Sequence, residues 1–284
     1  MILASHGIIG SQIVQFSGLL DTYTGAAAAY SLRLLSTSYT GSAIKVRRAS
    51  DNTEQDIGFV NNVLDTTTLA SFCSGTNGFV TTWYDQSGNG FNATQTTAAN
   101  QPKIYDSSTG VITENGKAAV EFDGVNDYFY NASSLTYSGG VSWYGVQNVL
   151  TGQTSERLWC DDITGVQGYM IYYIDGIYQI NNGAGFKSIS ISGWLSQQQL
   201  ASWNFNASNG AFNSAFNGSN TSGTLSGWSG TIGTSGTTNF GIMSAGNGGQ
   251  YGQGKLQELV VYGNNQSSNR TGIETNINDY YAIY

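Results

Sequence analysis

The sequence predicts an all-β fold, a sandwich of two antiparallel sheets with short helices including one near the C-terminus, and three observations carry that prediction. From Val141 onward, short runs rich in β-branched and aromatic residues recur with Gly, Asn and Ser between them. Glycine numbers 38 and aromatic residues reach 13%, which supplies turn formers and large packing groups to a strand-rich chain. Late in the chain, Ser267 to Tyr281 alone carries helical periodicity, with Ile273, Ile277 and Tyr280 on one face and Ser267 or Ser268 as the cap.

In chain order, Ala26–Ala29 leads into YSLRLLSTSYTG, which reads as a short helix or a buried strand ended by Gly41. Ala43 to Ala49 alternates Ile44 and Val46 inward with Lys45 and Arg47 outward, as a half-buried strand does. Ser50-Asp51-Asn52 turns the chain, Asp56 to Phe59 reads as a short strand, and Asp65 caps a brief helix over Thr66 to Phe72. The organising stretch is GFVTTWYDQSGNGFNATQ, Gly78 to Gln95. It opens as a strand buried on both sides and then meets Asp85 to Gly90, whose acceptors and glycines suit a tight ordered loop. That loop reads as a scaffold corner or as the lip of a sugar site, and its composition favours the corner. Pro102 opens Lys103-Ile104-Tyr105; next comes a hairpin turning at Glu114-Asn115-Gly116, with Ala118 to Phe122 as its return strand. The later strands are VSWYGVQNV, ERLWCD, GYMIYYID, IYQIN, SISIS, LASWNFN, AFNSAFNG, NFGIM and KLQELVVYG. With no linker and no repeat, residues 21–284 read as one sandwich domain behind an N-terminal docking arm, 1–20.

Charged residues make up only 10% of the chain, against roughly a quarter in ordinary globular domains. Net charge is −8 and pI about 4.4, which excludes general attraction to nucleic acid. The basic run Lys45 to Arg48 alternates within a strand and reads as a solvated face. The only histidine, His6, leaves the rest of the chain without a His-based zinc site or a Ser-His-Asp triad, and no cofactor is expected. Asp123 and Asp127 bracket a turn; solvated turn carboxylates or a structural calcium site both fit. Cys73 and Cys160 form no disulfide framework, with a single bridge between them left open. Met1 to Leu20 lacks a cationic start and is interrupted by Ser5, His6, Ser11, Gln12 and Gln15, so neither a signal peptide nor membrane insertion is expected.

Two resemblances follow from particular motifs. VEFDGVNDYF, LASWNFN…AFNG, NFGIM and GKLQELVVY are similar to strands of laminin-G-like, concanavalin-like domains, which implies a jelly-roll whose concave face often holds sugars. YSLRLL…YTG…VRRASDN…DIGF…FC…WYDQSGNG, Tyr30 to about Gln95, resembles the first part of the alpha-L-arabinofuranosidase B catalytic domain. The chain departs from that family in three places. Gly78 stands where the family has the disulfide partner of the cysteine matching Cys73. Tyr169-Met170-Ile171-Tyr172-Tyr173 matches the segment of the nucleophilic glutamate and puts Ile171 at its position. Ser244 to Gly254, matching the loop of the acid/base aspartate, contains no acid.

Independently of any family, Ser188 to Gln257 holds no Asp or Glu, while a glycosidase requires two suitably spaced carboxyls. Adjacent Asp161 and Asp162 point to opposite faces of a strand, which leaves Asp175 and Glu258 as a weak catalytic pair should their strands be neighbours. Trp83, Trp143 and Trp203 sit inside strand patterns and read as core. Trp159, Tyr169, Trp194 and Trp228 are the candidate glycan-binding aromatics, weighed against ordinary packing.

The opening MILASHGIIGSQIVQF resembles the starts of tailed-bacteriophage structural proteins. Together with low charge it yields the leading expectation: a virion surface protein, whether head decoration, head fibre or tail component. Its arm would dock on other virion proteins through Ile2, Leu3, Ile8, Ile9, Ile13, Val14 and Phe16, and the chain would form a homo-oligomer displaying a non-catalytic jelly-roll to cell-surface glycan. A glycoside hydrolase of arabinofuranosidase type, or a tail-borne depolymerase, is the alternative; a secreted lectin module is the second. Localisation follows the reading, virion or secreted.

Overall fold

The computed structural model describes residues 15–133, 135–150, 156–163, 169–173, 177–181, 186–190, 197–225, 228, 237–244 and 249–284. From 156 to 190, and at 237–238, the description covers the backbone, with the side chain of Leu158 added. In chain order the strands begin β1 (Ala26–Ser31), β2 (Ile44–Arg48), β3 (Glu54–Ile57), β4 (Phe59–Val60), β5 (Val63–Leu64), β6 (Gly78–Trp83), β7 (Ala93–Thr94) and β8 (Lys103–Asp106). Next are β9 (Gly110–Val111), β10 (Thr113–Glu114), β11 (Lys117–Ala118), β12 (Val120–Asp123), β13 (Phe129–Asn131), β14 (Gly140–Val149), β15 (Glu156–Ile163) and β16 (Tyr169–Tyr173). The last are β17 (Ile177–Asn181), β18 (Phe186–Ser190), β19 (Gln199–Asn206), β20 (Ala211–Phe216), β21 (Ser219–Thr224), β22 (Thr237–Ile242) and β23 (Gln253–Tyr262). Among the described residues three short α-helices accompany them: α1 (Leu19–Thr22), α2 (Thr66–Phe72) and α3 (Arg270–Tyr281). The fold is an all-β sandwich of antiparallel sheets.

Strand β6 is the point at which the two sheets divide. Its first residues, Gly78 and Phe79, pair with Tyr105 and Lys103 of β8, while Thr82 and Trp83 pair with Thr94 and Ala93 of β7. From β8 one array runs through β12, β23, β14, β19, β20 and β21. From β7 the other runs through β13, β22, β15, β16, β17 and β18. The main core lies between them and takes Trp83, Phe129 and Phe240 from one side, Trp143, Trp203, Leu256 and Val261 from the other. A second cluster covers the outer face of β14, β19 and β23, where Tyr144, Leu200 and Tyr262 meet Leu19 of α1 and Ile273, Ile277 and Tyr281 of α3.

The loop after β6 is a corner. Asp85, 4% exposed, accepts from the backbone N–H of Ala29 at 2.8 Å, of Ser87 at 2.9 Å and of Phe91 at 3.0 Å, and from the Ser87 hydroxyl at 2.7 Å. Gln86 accepts from Leu35 N–H at 2.8 Å and donates to the carbonyls of Ser31 and Arg33, both at 3.0 Å. Side chains that look available to a ligand are therefore spent on tying β1 and its continuation to the end of β6.

Of the ambiguous segment Tyr30 to Gly41, Tyr30 and Ser31 close strand β1 and Arg33 makes an isolated bridge to Val63, while the rest is irregular; Asp65 caps α2 by accepting from Thr68 N–H at 2.9 Å. Trp83, Trp143 and Trp203 are core, as expected. Three details differ from the sequence reading, and the open question of a disulfide closes. Arg47 is buried rather than outward, because its guanidinium lies 5.1 Å from the Phe79 ring centre and donates to Gln101 Oε1 at 2.7 Å. Helix α3 begins after Asn269 rather than at Ser267 or Ser268, and Tyr281 shares the buried face with Ile273 and Ile277 in place of Tyr280. Strand β21 is exposed along its length, so no burial pattern marked it. Cys73 is a free, buried thiol, and the bridge to Cys160 is not made. Of the docking-arm residues, Phe16 is half-buried; Ile2, Leu3, Ile8, Ile9, Ile13 and Val14 lie outside the described residues.

Candidate functional site

A cavity of about 640 Å³ opens on the face of β8, β12, β23 and β14 that is turned away from the main core. Strand alternation builds it: Val120, Phe122, Leu256 and Val149 point into the core, so Glu121, Asp123, Lys255 and Asn148 on the same strands point the other way. Register brings charges together in a chain that has few, for Glu121 of β12 stands opposite both Lys103 of β8 and Lys255 of β23. Both lysines are drawn to other carboxylates, Lys103 to Asp106 and Lys255 to Glu114, each at 3.2 Å. Phe79, Ala98, Ala99 and Leu150 supply the apolar part of the lining, Gln101 and Gln253 further amides. Polar groups around a partly apolar concavity are what a carbohydrate, with its C–H faces and hydroxyl edges, requires.

The turn between β12 and β13 sets Asp127 into this cavity. Asp123 Oδ1 accepts from the N–H groups of Val125 at 2.8 Å, Asn126 at 3.2 Å and Asp127 at 3.3 Å, which closes the turn. Gly124 supplies the left-handed residue at φ 75°. Asp123 N–H in turn donates to Asp127 Oδ2 at 3.1 Å. Burial, then the negative charge of Asp123, push the Asp127 carboxyl up to about 7; the Asp123 N–H and Lys103 oppose that rise and Glu121 adds to it. On the opposite wall, Asn148 donates to Glu114 Oε1 at 2.9 Å, which leaves its own Oδ1 buried without a hydrogen-bond partner.

Glu258, half of the weak catalytic pair, is fully buried in a bidentate ion pair with Arg33, at 2.7 and 2.9 Å, and also accepts from Ser31 Oγ at 2.8 Å. It is thereby held away from any sugar. Asp175 lies outside the described residues, as do the side chains of Trp159 and Tyr169 and all of Trp194. Trp228 is half-buried; its indole N–H donates to the Ala207 carbonyl at 2.6 Å and its ring meets Phe205 edge-on at 4.7 Å, which makes it a packing group. Asp123 and Asp127 do come together, with their hydrogen bonds directed to the turn itself, and among the described residues no group of three or more His, Cys, Asp or Glu is placed to hold a metal ion. Sequence reasoning missed Phe79, Gln101, Lys103, Glu121, Asn148, Gln253 and Lys255. Their one signal was charge and amide on the outward side of strands in a chain otherwise poor in charge.

Comparison with known proteins places the fold. The family model of the alpha-L-arabinofuranosidase B catalytic domain matches residues 21–159. A probable alpha-L-arabinofuranosidase B of Aspergillus flavus is 34% identical over 206 residues, covering 63% of this chain and 40% of that protein. The alpha-L-arabinofuranosidase B of Aspergillus oryzae matches at the same identity and coverage. The chain thus spans about two-fifths of the length of these curated relatives. Among solved structures, an arabinofuranosidase complexed with arabinofuranosyl-alpha-1,2-xylobiose superposes with a TM-score of 0.68 at 20% identity, covering 91% of this chain and 64% of that one. A GH54 α-L-arabinofuranosidase soaked with a cyclic sulfate inhibitor gives 0.66 at 22% identity, with the same coverage. The chain carries an arabinofuranosidase-like domain on the fold of these enzymes. These findings overturn the expectation of a bacteriophage virion protein, with its head-decoration, head-fibre and tail variants: the likeness is to glycoside hydrolases, whereas the phage reading rested on a short apolar opening and low charge, both generic.

Proposed function

We propose that this chain is a glycoside hydrolase domain of arabinofuranosidase type, directed at glycans that carry α-L-arabinofuranosyl groups in an extracellular setting. The observation that carries the reading is the match of residues 21–159 to that family's catalytic domain, on a sandwich shared over 91% of the chain. The cavity supports it, since it sets the raised carboxyl of Asp127 beside the carboxyls of Glu121 and Asp123, and neighbouring carboxyls are what acid–base chemistry on a glycosidic bond uses. The test is release of nitrophenol from 4-nitrophenyl α-L-arabinofuranoside by the purified chain, alongside release of arabinose from arabinoxylan. Turnover that follows enzyme concentration is expected; its absence at high enzyme would remove hydrolysis from the reading.

A second reading, recognition of the same glycans without turnover, is favoured by a specific observation. Ile171 occupies the place that the family resemblance gives to the nucleophilic glutamate, and Ser188 to Gln257 holds no acid. Under it, retention on arabinoxylan in affinity electrophoresis persists while no sugar is released.

A further inference from the structure

We propose that Asp127 is a group of this cavity that meets the glycan as a hydrogen-bond donor, holding a proton on its carboxyl and presenting it to a sugar oxygen. The inference rests on the arabinofuranosyl-glycan reading above and holds whether or not the bond is cleaved.

The cavity is rich in acceptors, and its donors other than the Gln253 amide each already hold a protein partner. Glu121, Asp123 and the unpartnered Asn148 Oδ1 all offer lone pairs. Lys103 is bonded to Asp106, Lys255 to Glu114 and the Thr113 carbonyl, Gln101 Nε2 to the Gln95 carbonyl, and Asn148 Nδ2 to Glu114. Sugar hydroxyls can give protons to such a surface, but ring and glycosidic oxygens only accept, so they need a donor from the protein. Asp127 is placed to be that donor: it is 8% exposed, lines the cavity, and is fixed by the Asp123 N–H on Oδ2 within a turn already closed by three further bonds to Asp123 Oδ1. Its orientation is set before a ligand arrives, which spares the ordering cost of binding. The charges facing it are Asp123 and Glu121 from β12, Lys103 from β8 and Lys255 from β23; the carboxylates favour the protonated form, and the lysines, held by Asp106 and Glu114, offset them only in part. A proton held up to about pH 7 is the consequence.

The experiment measures affinity for a linear arabino-oligosaccharide from pH 5 to 9 by calorimetry, with the wild type, Asp127→Asn and Ala99→Trp. The last fills the cavity from an exposed position. Wild-type affinity is expected to fall about tenfold from pH 6 to pH 8, as a group titrating near 7 loses its proton. Asp127→Asn keeps a neutral N–H donor and is expected to bind with a flat profile; Ala99→Trp is expected to abolish binding. A flat wild-type profile with binding still blocked by Ala99→Trp would overturn the inference and leave the glycan reading standing. Binding that Ala99→Trp does not touch, or no binding at any pH, would overturn both. Carboxyl carbon NMR of the wild type gives a readout independent of any variant's folding: the Asp127 titration midpoint must rise when the sugar is bound, and an unmoved midpoint counts against the inference.

Discussion

Asp85 shows how much one side chain contributes when it takes the place of a missing strand pairing. Four hydrogen bonds converge on its two oxygens, three of them from backbone N–H groups, one in β1 and two in the loop after β6. Replacing it with Ala leaves those donors in a buried corner, and Asp85→Ala is expected to cost about 3 kcal/mol or more, since each buried group left unpaired costs about 1–3 kcal/mol. Urea unfolding measures this, and Asp85→Asn, which retains one acceptor oxygen, should recover part of the loss. Cys73 illustrates burial without partnership. Its thiol is pushed up to about 11 by burial, and Gly78 packs so close that a Cβ there would stand 2.5 Å from Sγ. Native protein at pH 8 should react with a thiol-specific disulfide reagent only as fast as it unfolds, and promptly in urea. Asp127 has the opposite linkage from a salt-bridged carboxylate. Its folded value near 7 lies above the ordinary 3.8, so the folded state holds the proton more tightly. The stabilisation this gives is complete in acid and is lost as pH rises from about 4 through 7. Asp127→Asn should therefore raise Tm more at pH 8 than at pH 5, by differential scanning fluorimetry.

At the scale of elements, α3 is held to the sheet by a buried charge as well as by its apolar face. Arg33, just beyond β1, reaches Glu258 of β23 and Asn276 of α3, and its guanidinium lies 5.1 Å from the ring centre of Tyr280. Tyr281 donates to Glu258 Oε2 at 3.3 Å. Glu258→Ala leaves the Arg33 charge buried and unpaired, which is expected to cost about 3–5 kcal/mol; the double variant Arg33→Met, Glu258→Leu should regain most of that in chemical denaturation. None of this was legible in the sequence, though α3 itself was. Spacing of Ile273 and Ile277 predicted a helix, and the choice between Tyr280 and Tyr281 for the buried face turns on a carboxylate on a strand that no local pattern reveals. Asp65 and the strand alternation of Ile44 and Val46 were legible because their causes are local. Arg47 was misread because its cover, Gln101, comes from a distant segment. The cavity was missed for the same reason. Lys103, Glu121, Lys255 and Asp127 are brought together by register, and register between β8, β12 and β23 is a property of the folded sheet.

At the scale of the whole molecule, the division of the two sheets at β6 decides how the protein unfolds. Were the arrays independent, each would carry its own hydrogen-bonded ladder and could melt alone. Here the β8 array and the β7 array both draw bonds from one six-residue strand, and Val80 and Trp83 of that strand are 0% exposed in the core that the arrays share. Neither array can lose β6 without exposing the inner face of the other. A single cooperative transition follows, in which tryptophan fluorescence and far-UV circular dichroism report the same urea midpoint. Val80→Ala tests the coupling directly, because it removes buried volume in β6 without touching the ladder: it is expected to lower both midpoints together, through a stability loss of about 1–3 kcal/mol for the lost methyl groups and the space they leave. Midpoints that separate in the variant would mean that the sheets are joined by proximity alone. The cavity, whose walls come from β6, β8, β12, β14 and β23, would then form and dissolve with only one of them, and glycan affinity would survive conditions that have already unfolded the other sheet.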